Sequence, residues 1–103
     1  MSPLTVGELI DAAAWKYGLD PVRLKRIARC ESGMGTNPLA YRWDRVHRGV
    51  FQFSRPTFEW AAPRAGYAPD WALAFVDAIN VDVAAWLMSH PAQGGGFQHW
   101  TCK

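Results

Sequence analysis

Cys30-Glu31-Ser32-Gly33 puts a carboxylate in a costly position. Leu24, Ile27, Ala28 and Glu31 recur at helical spacing, so the acid continues an otherwise apolar stripe. Gly33 offers a helix stop directly after it. There, the negative end of the helix dipole and partial burial both favour the protonated form. A carboxyl that keeps its proton near neutral pH is what a general acid for glycosidic cleavage requires. A helix-terminal Glu paired with a neighbouring arginine accounts for the same spacing, and the residues alone leave the two readings balanced.

A two-carboxylate glycosidase needs a second acid across the scissile bond. Of the remaining acids, only Asp44 lies in the long segment after Glu31. It could position a water as a base, although a loop Asp more often forms a turn or pairs with Arg. A single-carboxylate mechanism dispenses with it: the same Glu protonates the leaving oxygen, then deprotonates the sugar's own hydroxyl for internal attack. The chain carries six Trp, a residue suited to stacking on sugar rings. Trp43, Trp60 and Tyr41 are the candidates, with plain packing the alternative for each. Trp86 reads as core, and Asn80 as a buried amide facing the segment around Gln52. Other chemistries find no support. His47, His90 and His99 lack ligand spacing, so no metal is expected. Gly94-Gly95-Gly96 lacks the Lys and the strand-to-helix setting of a phosphate loop, no Ser has a convincing His/Asp partner, and no cofactor is called for.

The elements that must hold Glu31 are helices. Thr5 with Glu8 forms a capping box before Leu9, Ile10, Ala13, Ala14 and Tyr17, and Gly18 closes that helix. Asp20 caps the next, with Pro21 at its first position. Residues 33–48 read as mostly irregular, and a loop of about 15 residues is often functional. Gly49 to Ser54 is a short extended run, a strand stub or a buried turn. Ser54 is expected to cap a short third helix that Pro63 breaks. The longest periodic segment runs from Trp71 or Leu73 to His90, with an interruption near Ala74. Pro91 stops it, and a glycine corner leads to a tail from Phe97 to Lys103. The expectation is an all-α fold, with at most a rudimentary β element, in a single domain over 1–103.

At 103 residues the chain supports one modest core. No run of about 18 apolar residues exists, so no membrane insertion is expected. No basic segment followed by an apolar core marks a signal peptide in this stretch, and a removed leader and an excised domain both stay open. The net charge is +2. Arg23, Lys25, Arg26 and Arg29 form the one dense basic cluster, which could attract a polyanion. A solvated helix face is the preferred reading, and no nucleic acid is expected. Cys30 and Cys102 are the two cysteines. If paired, they tie the tail beside Glu31 and suggest an oxidising compartment. Two free thiols are the alternative.

Several stretches then match known families together. Tyr17-Gly18-Leu19-Asp20-Pro21 leading to Glu31-Ser32, with Gly49-Val50-Phe51-Gln52 further on, resembles the soluble lytic transglycosylase domain. Cys30-Glu31-Ser32-Gly33, Gln52-Phe53-Ser54 with Thr57-Phe58, Gly66-Tyr67-Ala68-Pro69 and the Trp100-Thr101-Cys102 ending resemble the actinobacterial resuscitation-promoting factors. The resemblance covers nearly the whole chain in the right order. It implies a lysozyme-like fold that cleaves the MurNAc–GlcNAc β-1,4 bond of peptidoglycan, with Glu31 as single acid/base and a Cys30–Cys102 disulfide. It also implies that Gln52, Thr57 and Gln93 help line the glycan cleft. A monomer is expected, working outside the cell or on its wall, secreted or phage-delivered. Three departures bear on product chemistry. The transglycosylases' Ala-Tyr-Asn-Ala-Gly motif is absent, Gly33-Met34-Gly35-Thr36-Asn37 replaces the usual residues after the acid, and Phe58 stands where the actinobacterial factors have Trp. An inverting muramidase using Asp44, and a catalytically idle glycan- or partner-binding module, are the alternatives.

Overall fold

Local signals at the first two helices hold in three dimensions. In the computed structural model, which describes residues 3–102, Thr5 caps α1 (Val6–Tyr17) and closes a full capping box with Glu8. Glu8 N–H donates to Thr5 Oγ1 at 3.1 Å and Thr5 N–H donates to Glu8 Oε1 at 2.9 Å. Gly18 ends the helix in the left-handed region, at φ 68°. Asp20 caps α2 (Pro21–Ser32) by accepting from Val22 N–H at 2.9 Å. Leu24, Ile27 and Ala28 are fully buried and Glu31 is half-buried, so the apolar stripe leads to the acid as its spacing predicts.

α4 (Asp77–Met88) is the central helix, buried at every residue from Asn80 to Met88. A helix apolar on all sides must be enclosed, and α1 and α3 (Arg55–Arg64) pack against it. The expected interruption ahead of it is real. A one-turn 3-10 helix covers Trp71–Phe75, and Val76 is extended before α4 begins. The Ala74 carbonyl is taken by Asn80 Nδ2 at 2.8 Å, a side chain in place of a helical amide.

Two local expectations need correction at α3. Pro63 lies inside the helix rather than breaking it. It falls in the last turn, where the helix ends one residue later at Arg64 and little is lost with one missing N–H. Ser54 stands at the N-cap but makes no backbone cap; its hydroxyl donates instead to Thr57 Oγ1 at 3.1 Å.

Between α2 and α3 the chain makes a 3-10 turn at Pro38–Tyr41. It then forms a minimal antiparallel pair, β1 (His47–Arg48) with β2 (Phe53–Ser54), in which His47 faces Ser54 and Arg48 faces Phe53. The fold is thus all-α with one two-stranded ribbon. The extended run after Gly49 proves to be both alternatives, a buried turn followed by a strand stub. The tail returns over this ribbon. Trp100 packs edge-on against Phe51 and Phe53, at 6.1 and 5.9 Å between ring centres. A Cys30–Cys102 disulfide ties it to α2. Lys103, the last residue of the expected tail, lies outside the described residues.

Candidate active site

The turn at 49–52 carries Gln52, and it is fixed from three sides by buried polar groups. From α2, Ser32 Oγ donates to the Val50 carbonyl at 2.7 Å and accepts from Gly35 N–H at 2.9 Å. From α4, Asn80 Oδ1 accepts from Phe51 N–H at 2.9 Å, while its Nδ2 donates to the carbonyls of Arg48 and Ala74. From the tail, Trp100 Nε1–H donates to the Phe51 carbonyl at 2.8 Å. Asn80 is therefore the satisfied core amide its position suggested, and Ser32, next to Glu31, holds the same turn. Buried amides and hydroxyls are tolerated only when so paired.

This bracing sustains an unusual backbone. Gln52 has φ 53°, in the left-handed region that disfavours a side chain. Such a residue persists when its surroundings over-determine it, and such residues gather at functional sites. Gly49 at φ 79° has no room for a Cβ, which would lie 2.2 Å from Asn80 Nδ2 and 2.3 Å from the Ala74 carbonyl oxygen.

Glu31 opens onto a pocket of about 300 Å³ walled by His47, Gln52, His99, Trp100 and Thr101. Burial pushes its carboxyl above the ordinary value, against a smaller pull from His47 and from the Cys102 backbone amide. The helix C-terminus acts in the same direction as burial. This pocket adjoins a second through His47, Gln52, His99 and Trp100, where Phe53, Ser54 and Thr57 join the wall. A third pocket of about 380 Å³ continues past Thr57 and His99 to Pro56, Trp60 and Gly94. The result is a groove with Glu31 at a polar end and Trp60 at an apolar one. Trp60 sits edge-on to Trp86 with their ring centres 6.1 Å apart, and the Arg64 guanidinium lies 4.2 Å from its ring centre.

Glu31, Gln52, Thr57 and Trp60 are thus brought to one groove. The other candidates lie elsewhere. Tyr41 is half-buried and donates to Asp77 Oδ1 at 2.6 Å; burial and this carboxylate raise its hydroxyl well above the ordinary value. Trp43 is 80% exposed, outside the groove walls, and its carbonyl accepts from Arg48 Nη2. Asp44 is exposed and held by the fork of Arg42, at 3.0 and 2.6 Å, which keeps its carboxyl below the usual range. It is absent from the wall around Glu31, which holds no second carboxylate among the described residues. Gln93 is exposed, and its neighbour Gly94 takes the place on the groove wall. His47, His99, Trp100 and Thr101 are wall residues that reading the sequence for ligand spacing passed over. No group of three or more His, Cys, Asp or Glu among the described residues could hold a metal ion.

The family model described as the Transglycosylase SLT domain matches residues 8–102. No curated protein and no solved structure matches the chain.

Proposed function

We propose, because this chain belongs to the transglycosylase SLT domain family, that it cleaves peptidoglycan glycan strands at the MurNAc–GlcNAc β-1,4 bond with Glu31 as its one acid/base. The observation that carries this reading is a half-buried carboxyl, raised by burial, in a pocket wall with no second carboxylate among the described residues. Protonated Glu31 gives its proton to the glycosidic oxygen as the C1–O bond breaks. The sugar left behind is an oxocarbenium-like ion. Glu31, now a carboxylate, takes the proton from that sugar's C6 hydroxyl as O6 attacks C1. A 1,6-anhydro ring forms, Glu31 regains its proton and no water is consumed. Gln52 and Thr57 hold the glycan, and Trp60 stacks on a ring further along.

The inverting alternative asks Asp44 to be a base. Its pairing with Arg42 makes it a weak one, and its exposed loop does not wall the pocket. The work site follows from the substrate: the cell wall, or the space outside the membrane, an oxidising setting consistent with the disulfide. Mass spectrometry of fragments released from purified peptidoglycan tests the mechanism. The expected fragments end in 1,6-anhydromuramyl groups, and fragments with reducing ends would replace this reading with hydrolysis.

A further inference from the structure

Two histidines on the groove wall have no part in the reaction just described. They come from different elements. His47 is the first residue of β1, and His99 ends the one-turn helix Phe97–His99 of the tail. Both wall the pocket that holds Glu31 and the adjoining pocket that reaches Thr57. Between them the wall is Gln52, Phe53, Ser54 and Trp100, with no Lys or Arg among the described residues. α3 contributes Pro56, Thr57 and Trp60, none of them charged. Among the described residues, the ionisable groups walling the Glu31 and Thr57 pockets are Glu31 from α2, His47 from β1 and His99 from the tail, while the Arg64 guanidinium of α3 lies over Trp60 at the far end of the groove.

His99 is oriented by the backbone. Its Nε2 lies 2.8 Å from the Gly94 carbonyl oxygen. A carbonyl only accepts, so Nε2 carries the hydrogen and Nδ1 is the nitrogen left for other partners. The Trp100 ring stands edge-on to the imidazole, its centre 6.1 Å away. Histidine is the side chain whose charge changes between about pH 5 and 8. Protonating an imidazole on this wall adds a positive charge and a second N–H donor. A neutral glycan gains nothing from that change. A glycan that carries a carboxylate gains a charge-assisted hydrogen bond.

We infer that His47 and His99 form a specificity subsite for a carboxylate carried by the muramyl unit, and that they make acidic glycans bind more tightly as the solution becomes more acid. The inference rests on the glycan-cleavage reading above and assigns part of its substrate selectivity. The carboxylate has two sources, the lactyl ether of a bare muramyl residue and the stem peptide attached to it.

The test uses Glu31→Gln protein, which removes turnover and the other titrating group. Three probes are titrated at pH 5.5 and pH 8: an N-acetylglucosamine oligomer, a MurNAc–GlcNAc oligomer without peptide, and the same glycan with its stem peptides. The acidic probe that supplies the carboxylate is expected to bind about tenfold more tightly at pH 5.5 than at pH 8. The neutral oligomer should bind equally at both. Imidazole NMR signals of His47 and His99 should titrate at higher pH in the acidic complex and not in the neutral one. In a His47→Gln/His99→Gln variant, with folding checked by its melting curve, the pH dependence should vanish. Equal pH dependence for acidic and neutral probes, its survival in the variant, or no binding of any probe would overturn the subsite. Failure of the cleavage reading shows separately: parent protein that releases no fragments from peptidoglycan overturns that reading whatever the binding curves show.

Discussion

Two segments between α2 and α3 look equally eligible to face Glu31, and they differ in what holds them. The turn at 49–52 is gripped by Ser32, Asn80 and Trp100, each from a different part of the chain. The loop at 42–46 is tied by Arg42 forked onto Asp44 and by a single bond from Arg48 to the Trp43 carbonyl, with the Trp43 and Val46 side chains in solvent. The first segment carries fewer residues that look catalytic, yet it walls the pocket. Side-chain chemistry becomes a site only where buried, fully paired groups fix the backbone under it. An acid on an exposed loop satisfied by its own neighbour has no such support.

That contrast can be broken at several points. The largest effect is expected from reducing the Cys30–Cys102 bond, which anchors the tail that supplies Trp100. It closes a loop with a sequence separation of 72, and losing it should cost about 4 kcal/mol in a denaturant titration. Unchanged stability after complete reduction would mean that the turn does not depend on the tail. Asn80→Ala comes next. It strips partners from the Phe51 amide and the Arg48 and Ala74 carbonyls, and urea unfolding should show a loss of about 3 kcal/mol. A loss under about 0.5 kcal/mol would show the turn to be held without it.

A smaller effect is expected from Glu31→Gln on stability. The parent carboxyl has a raised pKa in the fold because burial penalises its charge. Its stabilising balance is therefore complete below the ordinary carboxylate value and is lost as pH rises through the raised one. Melting curves should coincide for the two proteins near pH 4 and place Glu31→Gln above the parent at pH 7. The reverse order at pH 7 would mean that the fold stabilises the anion. The smallest effects belong to the loop. Trp43→Ala and Asp44→Asn should each shift stability by less than about 0.5 kcal/mol, and a larger loss would show the loop to be part of the packed structure.

How much of this was legible from residues alone follows from range. The caps at Thr5 and Asp20 and the stops at Gly18 and Gly33 are local, and they stand where their residue types place them. Glu31 was legible because a helix repeats every few residues and the acid interrupts an apolar stripe. Asn80 was legible because an amide within an apolar helix must find partners. Tyr41 was not, since its partner Asp77 sits 36 positions away in another helix. His47 and His99 become neighbours of Glu31 only when the ribbon pairs and the tail folds back. No spacing along the chain records that.

The central claim is that Glu31 acts without Asp44. Rates of fragment release from purified peptidoglycan by parent, Glu31→Gln and Asp44→Asn proteins, measured side by side, test it most directly. The account predicts a fall of about 10²- to 10⁴-fold for Glu31→Gln and a rate within about twofold of the parent for Asp44→Asn. A Glu31→Gln protein as active as the parent, or an Asp44→Asn protein as impaired as Glu31→Gln, would contradict it.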